Sequence, residues 1–153
     1  AYEIRFCDWS TDVCSSDLNS DRLRKEMFKD RTYSDREKAT VYDAMLLKMK
    51  EAVKQNKDIV LDATFHKSET RKLFIQEIQG KEDIHFIEIK ANENITRERL
   101  KKERPYSEAD FGVYKLIQQR WEPMSESHLV LESTDENIDS MLRKAMLYLK
   151  QKT

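Results

Sequence analysis

The chain has 153 residues, 39% apolar and 37% charged, with two glycines and two prolines; this fits one helix-rich domain whose helices carry solvated faces. Lys plus Arg number 28 against 29 for Asp plus Glu, so net charge points to neither a nucleic-acid nor a membrane partner. No apolar run approaches the ~20 residues that span a bilayer, and no basic-apolar-small leader opens the chain, so the expected location is the cytoplasm.

Residues 1–18, AYEIRFCDWSTDVCSSDL, differ from everything after them. They hold Cys7, Cys14 and Trp9, and show no sustained period. The segment resembles a translated sequencing-adapter artefact and is set aside as non-native. With no zinc-ligand spacing near the cysteines, and with His66, His85 and His128 scattered, neither a metal site nor a disulfide is expected.

From Asn19 the periodicities are regular. Asp21 to Phe28 begins a helix, with Leu23 and Met27 one turn apart. Ser34-Asp-Arg-Glu37 forms a capping box opening a long helix striped by Val41, Ala44, Met45, Met49 and Val53. A strand follows at 59–62, a helix at 68–78 and a strand at 84–89. A basic helix at 95–103 is stopped by Pro105. Ser107-Glu-Ala-Asp110 caps a helix running to Trp121, which Pro123 ends. A short strand at 128–131 and an amphipathic helix at 138–149 close the pattern. Alternating strands and helices imply βαβ units and a mostly parallel sheet. Phe65, Phe74, Phe86, Tyr114 and the methionines at 45, 49, 141 and 146 are assigned to the core, and Trp121 to packing at its helix end.

The densest chemical signal is Asp58-Ile-Val-Leu-Asp62-Ala-Thr64-Phe65. Ile59, Val60 and Leu61 run continuously, as in a strand buried on both faces. The run ends in a carboxylate and a hydroxyl, where open α/β sheets collect ligands.

Four blocks in order carry a family resemblance: Ser20-Asp-Arg-Leu-Arg24-Lys-Glu, Val60-Leu-Asp62-Ala-Thr64-Phe, Arg97-Glu-Arg-Leu100 through Arg104, and Ser107-Glu-Ala-Asp110 with Trp121-Glu-Pro123. Over about residues 19–149 the chain resembles the AAA-type P-loop kinases, grouped with gluconate kinases, zeta toxins and polynucleotide 5′-kinases. The resemblance implies a parallel-sheet P-loop NTPase/kinase-like α/β fold that lacks its first strand and phosphate-binding loop, confined to a partial domain at 19–150. Neither glycine, Gly80 or Gly112, sits in a G-x-x-x-x-G-K-[ST] motif, whose backbone N–H groups would cradle phosphates. ATP and Mg²⁺ are therefore implied for an intact parent and not for this chain. Loss of a central strand would leave an open edge and a tendency to aggregate.

The resemblance assigns roles residue by residue. Asp21 is the candidate base for the attacking hydroxyl and Arg24 the clamp on the acceptor, with Arg22 as second choice. Without the resemblance, the same pair reads as a helix-dipole acid and a solvated Arg. Asp62 is implied to orient the clamp or to place Mg²⁺ through water; its alternative is a helix cap or turn acid. Thr64 and Arg71 are further candidates for substrate contact. The basic helix resembles the family's lid, which makes Arg99 and Arg104 candidates for stabilising charge on the transferred phosphoryl group. Interleaved Glu93, Glu98 and Glu103 keep open a salt-bridged, solvated face. The implied reaction is ATP-dependent phosphorylation of a small-molecule or polynucleotide hydroxyl. A non-catalytic binding or regulatory domain on the same scaffold is the alternative, and nucleic acid as partner is not indicated by charge.

Overall fold

A computed structural model describes residues 17–78, 84–104 and 106–150. In chain order the elements are β1 (Asp17–Asn19), α1 (Ser20–Met27), α2 (Asp35–Lys54), β2 (Val60–Asp62), α3 (Ser68–Ile78), β3 (Phe86–Ala91), α4 (Glu93–Leu100), α5 (Phe111–Gln119), β4 (His128–Ser133) and α6 (Ile138–Lys150). The cysteines and Pro105 lie outside the described residues.

Local chemistry accounts for most boundaries. The Asn19 side chain caps α1, and Asp110 caps α5 by accepting from the Val113 N–H. Ser34 caps α2, its hydroxyl accepting from the Glu37 N–H at 3.3 Å. The reciprocal half of the expected box is replaced. The Glu37 carboxylate accepts from the N–H groups of Thr32 and Tyr33, which curls the 29–34 segment back over the helix start. Tyr33 adopts φ 54° there. The basic helix ends at Leu100 rather than 103. Its last amides switch to i→i−3 bonds, Lys101 to Glu98 and Lys102 to Arg99, the tightened turn with which helices unwind.

The architecture is α/β with parallel strands. The expected single sheet appears as two pairs, β1–β2 and β3–β4, with no ladder joining them among the described residues. Asp17, Leu18 and Asn19 pair with Val60, Leu61 and Asp62. Two of these residues belong to the segment set aside as non-native, and β1 was not foreseen. Phe86 through Ala91 pair with His128 through Ser133, so the first strand starts and ends two residues later than expected and the second runs two residues further.

Each pair has its own core. Leu23, Val41, Met45, Met49 and Phe74 form the first, with Leu18, Leu61 and Phe65 packed against it. Leu131, Met141 and Ala145 form the second, flanked by Ile87 and Leu129. Val41 and Met45 are fully buried, each worth about 1.5–3 kcal/mol of transfer free energy. Met146, expected inside, is 50% exposed: one position on from Ala145, it turns off the α6 face that meets β4.

Polar contacts join the halves. The Arg71 guanidinium, 2% exposed, donates to the carbonyls of Phe65 (2.7 Å), Glu122 and Pro123 (both 3.0 Å). The Glu122 N–H returns to the His66 carbonyl at 2.9 Å, and its carboxylate accepts from the Ser68 N–H at 2.6 Å. No helix among the described residues is long and apolar enough to cross a membrane.

Candidate functional site

Asn19 ends β1 and starts α1, and its short side chain organises the site. Oδ1 accepts from the N–H groups of Asp21 and Arg22 at 2.9 and 3.0 Å. Nδ2 donates to Asp62 Oδ2 at 2.7 Å, across the strand register from it. Asp21 and Asp62 therefore lie together at the carboxyl end of one strand pair, on the positive end of α1.

One turn along α1, Arg24 is fixed on three sides. Its Nη1 is 3.0 Å from Asp21 Oδ1 and its Nε 3.1 Å from Glu37 Oε1. Its guanidinium lies 5.0 Å from the centre of the Tyr33 ring. Only 7% of the residue is exposed. Burial pushes the Glu37 carboxyl up, but the Thr32 and Tyr33 bonds and the Arg24 charge outweigh it and leave it below the usual carboxylate range. Arg24 is thus a buried cation held between two carboxylates, Asp21 and Glu37.

The segment after Asp62 is held as firmly. The Tyr42 hydroxyl lies 3.3 Å from Thr64 Oγ1 and accepts from the Phe65 N–H at 3.2 Å. Phe65 sits at φ 41°, an uncommon conformation for a bulky residue. It is locked by edge-to-face contacts with Tyr42 and Phe74. Arg71, expected to touch substrate, instead spends its donors on main-chain carbonyls. It is buried, with its Nη1 and Nη2 on three carbonyls and its Nε 4.0 Å from Glu126 Oε2, and so fastens the 62–66 loop to the segment after α5. Thr64 remains exposed at the rim.

The basic helix divides. Arg97 pairs with Glu93 at 3.5 Å and lies 3.9 Å from the Phe111 ring centre, while Lys101 pairs with Glu98 at 2.6 Å. These are the salt-bridged face. Arg99 reaches the end of β4, donating to Ser133 Oγ (3.0 Å), the Thr134 carbonyl (2.8 Å) and Asp135 (3.1 Å). Arg104 donates to the Ala109 carbonyl. The segment after it approaches α1: the Tyr106 ring lies under Arg22 and Lys25 at 5.5 and 5.8 Å. Glu108 binds Arg31 and the Tyr33 hydroxyl, and the Arg31 bond, with Tyr33, holds its carboxyl below the ordinary range.

The structure thus brings together Asp21, Arg24 and, through Asn19, Asp62, ties Thr64 to Tyr42, anchors Arg99 at the β4 end, and buries Arg71. Asn19 and Glu37 were missed as organising residues. An Asn directly before an acidic first turn is an N-cap signature that points to the first. A hollow of about 410 Å³ beside Glu37 is lined by Phe28, Asp30, Thr32 and Arg36. Among the described residues no group of three His, Cys, Asp or Glu is placed to hold a metal ion.

A family model described as an AAA domain matches residues 9–124, beginning inside the segment set aside and ending just after the Glu122–Pro123 carbonyls that Arg71 engages. No curated protein and no solved structure gives a significant match to the chain.

Proposed function

The chain belongs to this AAA-domain family across residues 9–124, and from that premise we propose that it is the acceptor-binding part of an ATP-dependent phosphotransferase. The reaction moves a phosphoryl group to a hydroxyl of a small molecule or a polynucleotide end. The observation that carries the reading is the Asn19 bridge, which sets Asp62 beside the α1 terminus bearing Asp21. A carboxylate at a strand end, steadied by a preset Arg, suits removal of a proton from an attacking hydroxyl.

The residues present do not fit a triphosphate: the sequence has no G-x-x-x-x-G-K-[ST] loop, and no step is assigned through nucleotide or Mg²⁺. What the chain supplies is acceptor chemistry. Asp21 accepts the hydroxyl proton. Arg24, held by Glu37, keeps the Asp21 carboxylate oriented. Asp62 fixes Asn19 and with it the start of α1, and Thr64 offers an exposed hydroxyl to the acceptor. Arg99 and Arg104 belong to the lid side, where motion of α4 would be needed to bring a cation to the transferred group.

The test is titration of ATP into the chain extended upstream by a strand and a G-x-x-x-x-G-K-[ST] loop. Saturable binding is expected, and its absence would remove the kinase reading. The second reading, a non-catalytic binding domain on this scaffold, is favoured by the missing loop motif alone. It predicts that no upstream extension confers phosphotransfer.

A further inference from the structure

Glu108 stands 75 residues from Tyr33 in the chain, yet its carboxylate accepts from the Tyr33 hydroxyl at 3.0 Å and pairs with the Arg31 guanidinium. Two residues earlier, the Tyr106 ring lies under Arg22 and Lys25, and Arg22 directly follows Asp21. The segment is a turn in its own right, with Arg104 donating to the Ala109 carbonyl and Asp110 capping α5. An ion pair, a hydrogen bond and two cation–ring contacts therefore dock the 106–110 segment on α1 and on the 31–33 stretch.

Tyr33 links this strap to the candidate base. Its N–H donates to Glu37 Oε2 at 3.2 Å, its hydroxyl donates to Glu108, and its ring faces the Arg24 guanidinium at 5.0 Å. It holds φ 54°, a left-handed conformation that a bulky residue keeps only where surrounding contacts over-determine it. Burial, and then the Glu108 bond, push the Tyr33 pKa up, so the hydroxyl stays a donor. Arg24 in turn lies 3.0 Å from Asp21 Oδ1 and 3.1 Å from Glu37 Oε1. A continuous run of contacts thus joins Glu108 to Asp21 through Tyr33 and Arg24. The Glu108 side chain is 56% exposed, and exposed ion pairs add little to global stability, so the strap can lift without unfolding either core.

We infer that Glu108 is a positioning residue for Asp21: docked on Tyr33, it holds that ring against Arg24, and the base is set in place only while the 106–110 segment is seated. When the segment lifts, Tyr33 keeps a single polar tether through its N–H, Arg24 loses the ring that covers it, and solvent competes for the Asp21 carboxylate. Seating of the strap and alignment of the base are one event. This inference deepens the proposed phosphotransferase and rests on it only for the role of Asp21 as base; the relay from Glu108 to Arg24 does not need an active donor side.

The experiment follows hydrogen exchange of the Arg24 Nε–H in the full chain by NMR. Glu108→Ala removes the acceptor, and Tyr33→Phe removes the donor while keeping the ring. Each should speed Arg24 exchange roughly three- to tenfold, and the double variant should add nothing further, because both cut the same link. Glu108→Gln keeps an oxygen for the Tyr33 hydroxyl but loses the charge on Arg31, and should restore most of the protection. The amide of Val41, fully buried in the first core, reports global opening and should not change. An unaltered Arg24 rate in both single variants would overturn the relay. So would equal acceleration of Arg24 and Val41, additive single effects, or a Glu108→Gln rate as fast as Glu108→Ala. If Glu108→Ala does not fold, Tyr33→Phe against Glu108→Gln decides alone. Phosphotransfer by the upstream-extended chain without an Arg24 response would sink the relay by itself. An Arg24 response without phosphotransfer would leave the relay standing and remove the base.

Discussion

Asn19 serves two carbonyl-side acceptances and one donation with a four-atom side chain, and the catalytic proposal hangs on that economy. The geometry holds the Asp21 carboxylate against Arg24 at 3.0 Å, which is the orientation the proposed base needs. Asp21→Asn keeps the shape and removes the proton acceptor. In the loop-bearing protein it should lower kcat by about 10²–10⁴-fold with KM little changed, measured by steady-state phosphotransfer; a variant with full kcat would refute the role. Glu37 gives a prediction in pH. Its folded pKa lies below the ordinary value of 4.5, so the stability it lends is complete above that value and is lost as pH falls through the lower folded value. Urea midpoints should therefore drop as pH falls below about 4.5, and Glu37→Gln should flatten that drop. At this scale the sequence exposes chemistry better than environment. The D-x-x-R spacing at 21 and 24 was readable because one helical turn makes neighbours of its ends. The burial of Arg24, the diversion of Glu37 to Thr32 and Tyr33, and the inward turn of Arg71 arise from contacts across 4 to 52 residues of chain, which no apolar period encodes.

Helices were legible where caps are local. Ser34, Asp110 and the Ser68–Ile78 stretch matched because side chain, amide and apolar period agree within a few residues. Strands were less so. β1 is three residues long and defined only by its partner β2, and β3 shifts two residues onward while β4 lengthens by two because each supplies the other's ladder. Between elements, Arg71 is the main fastening, tying α3 to the 121–126 segment through two carbonyls and to the 62–66 loop through a third. Arg71→Ala should cost about 3 kcal/mol, seen as a fall in the urea midpoint at neutral pH. Arg71→Lys should recover only part of it, since an ammonium cannot reach three carbonyls in a fixed fork. A lysine variant as stable as the parent would show that charge, not the fork, matters. Phosphotransfer should fall with stability rather than ahead of it if Arg71 only positions the 62–66 loop.

At the level of the whole molecule, the parallel α/β class was accessible from the alternation of strands and helices, but its division into two strand pairs was not. Val60, Ile89 and Val130, each between 38% and 43% exposed, show how much apolar strand surface the two pairs leave at the boundary with water. Two interiors share one chain, five buried apolar residues in one cluster and three in the other. Such a molecule need not melt as one body. Amide exchange should resolve two foldons, with β3, β4 and α6 opening at lower free energy than α2. Acid below the ordinary glutamate range of about 4.5 should widen the gap by protonating Glu108 and freeing Arg31 and Tyr33. A catalyst assembled this way would carry its flexible joint along the seam between the base-bearing half and the cationic half, and bringing an acceptor and a lid together would be a matter of swinging one lobe rather than remodelling either.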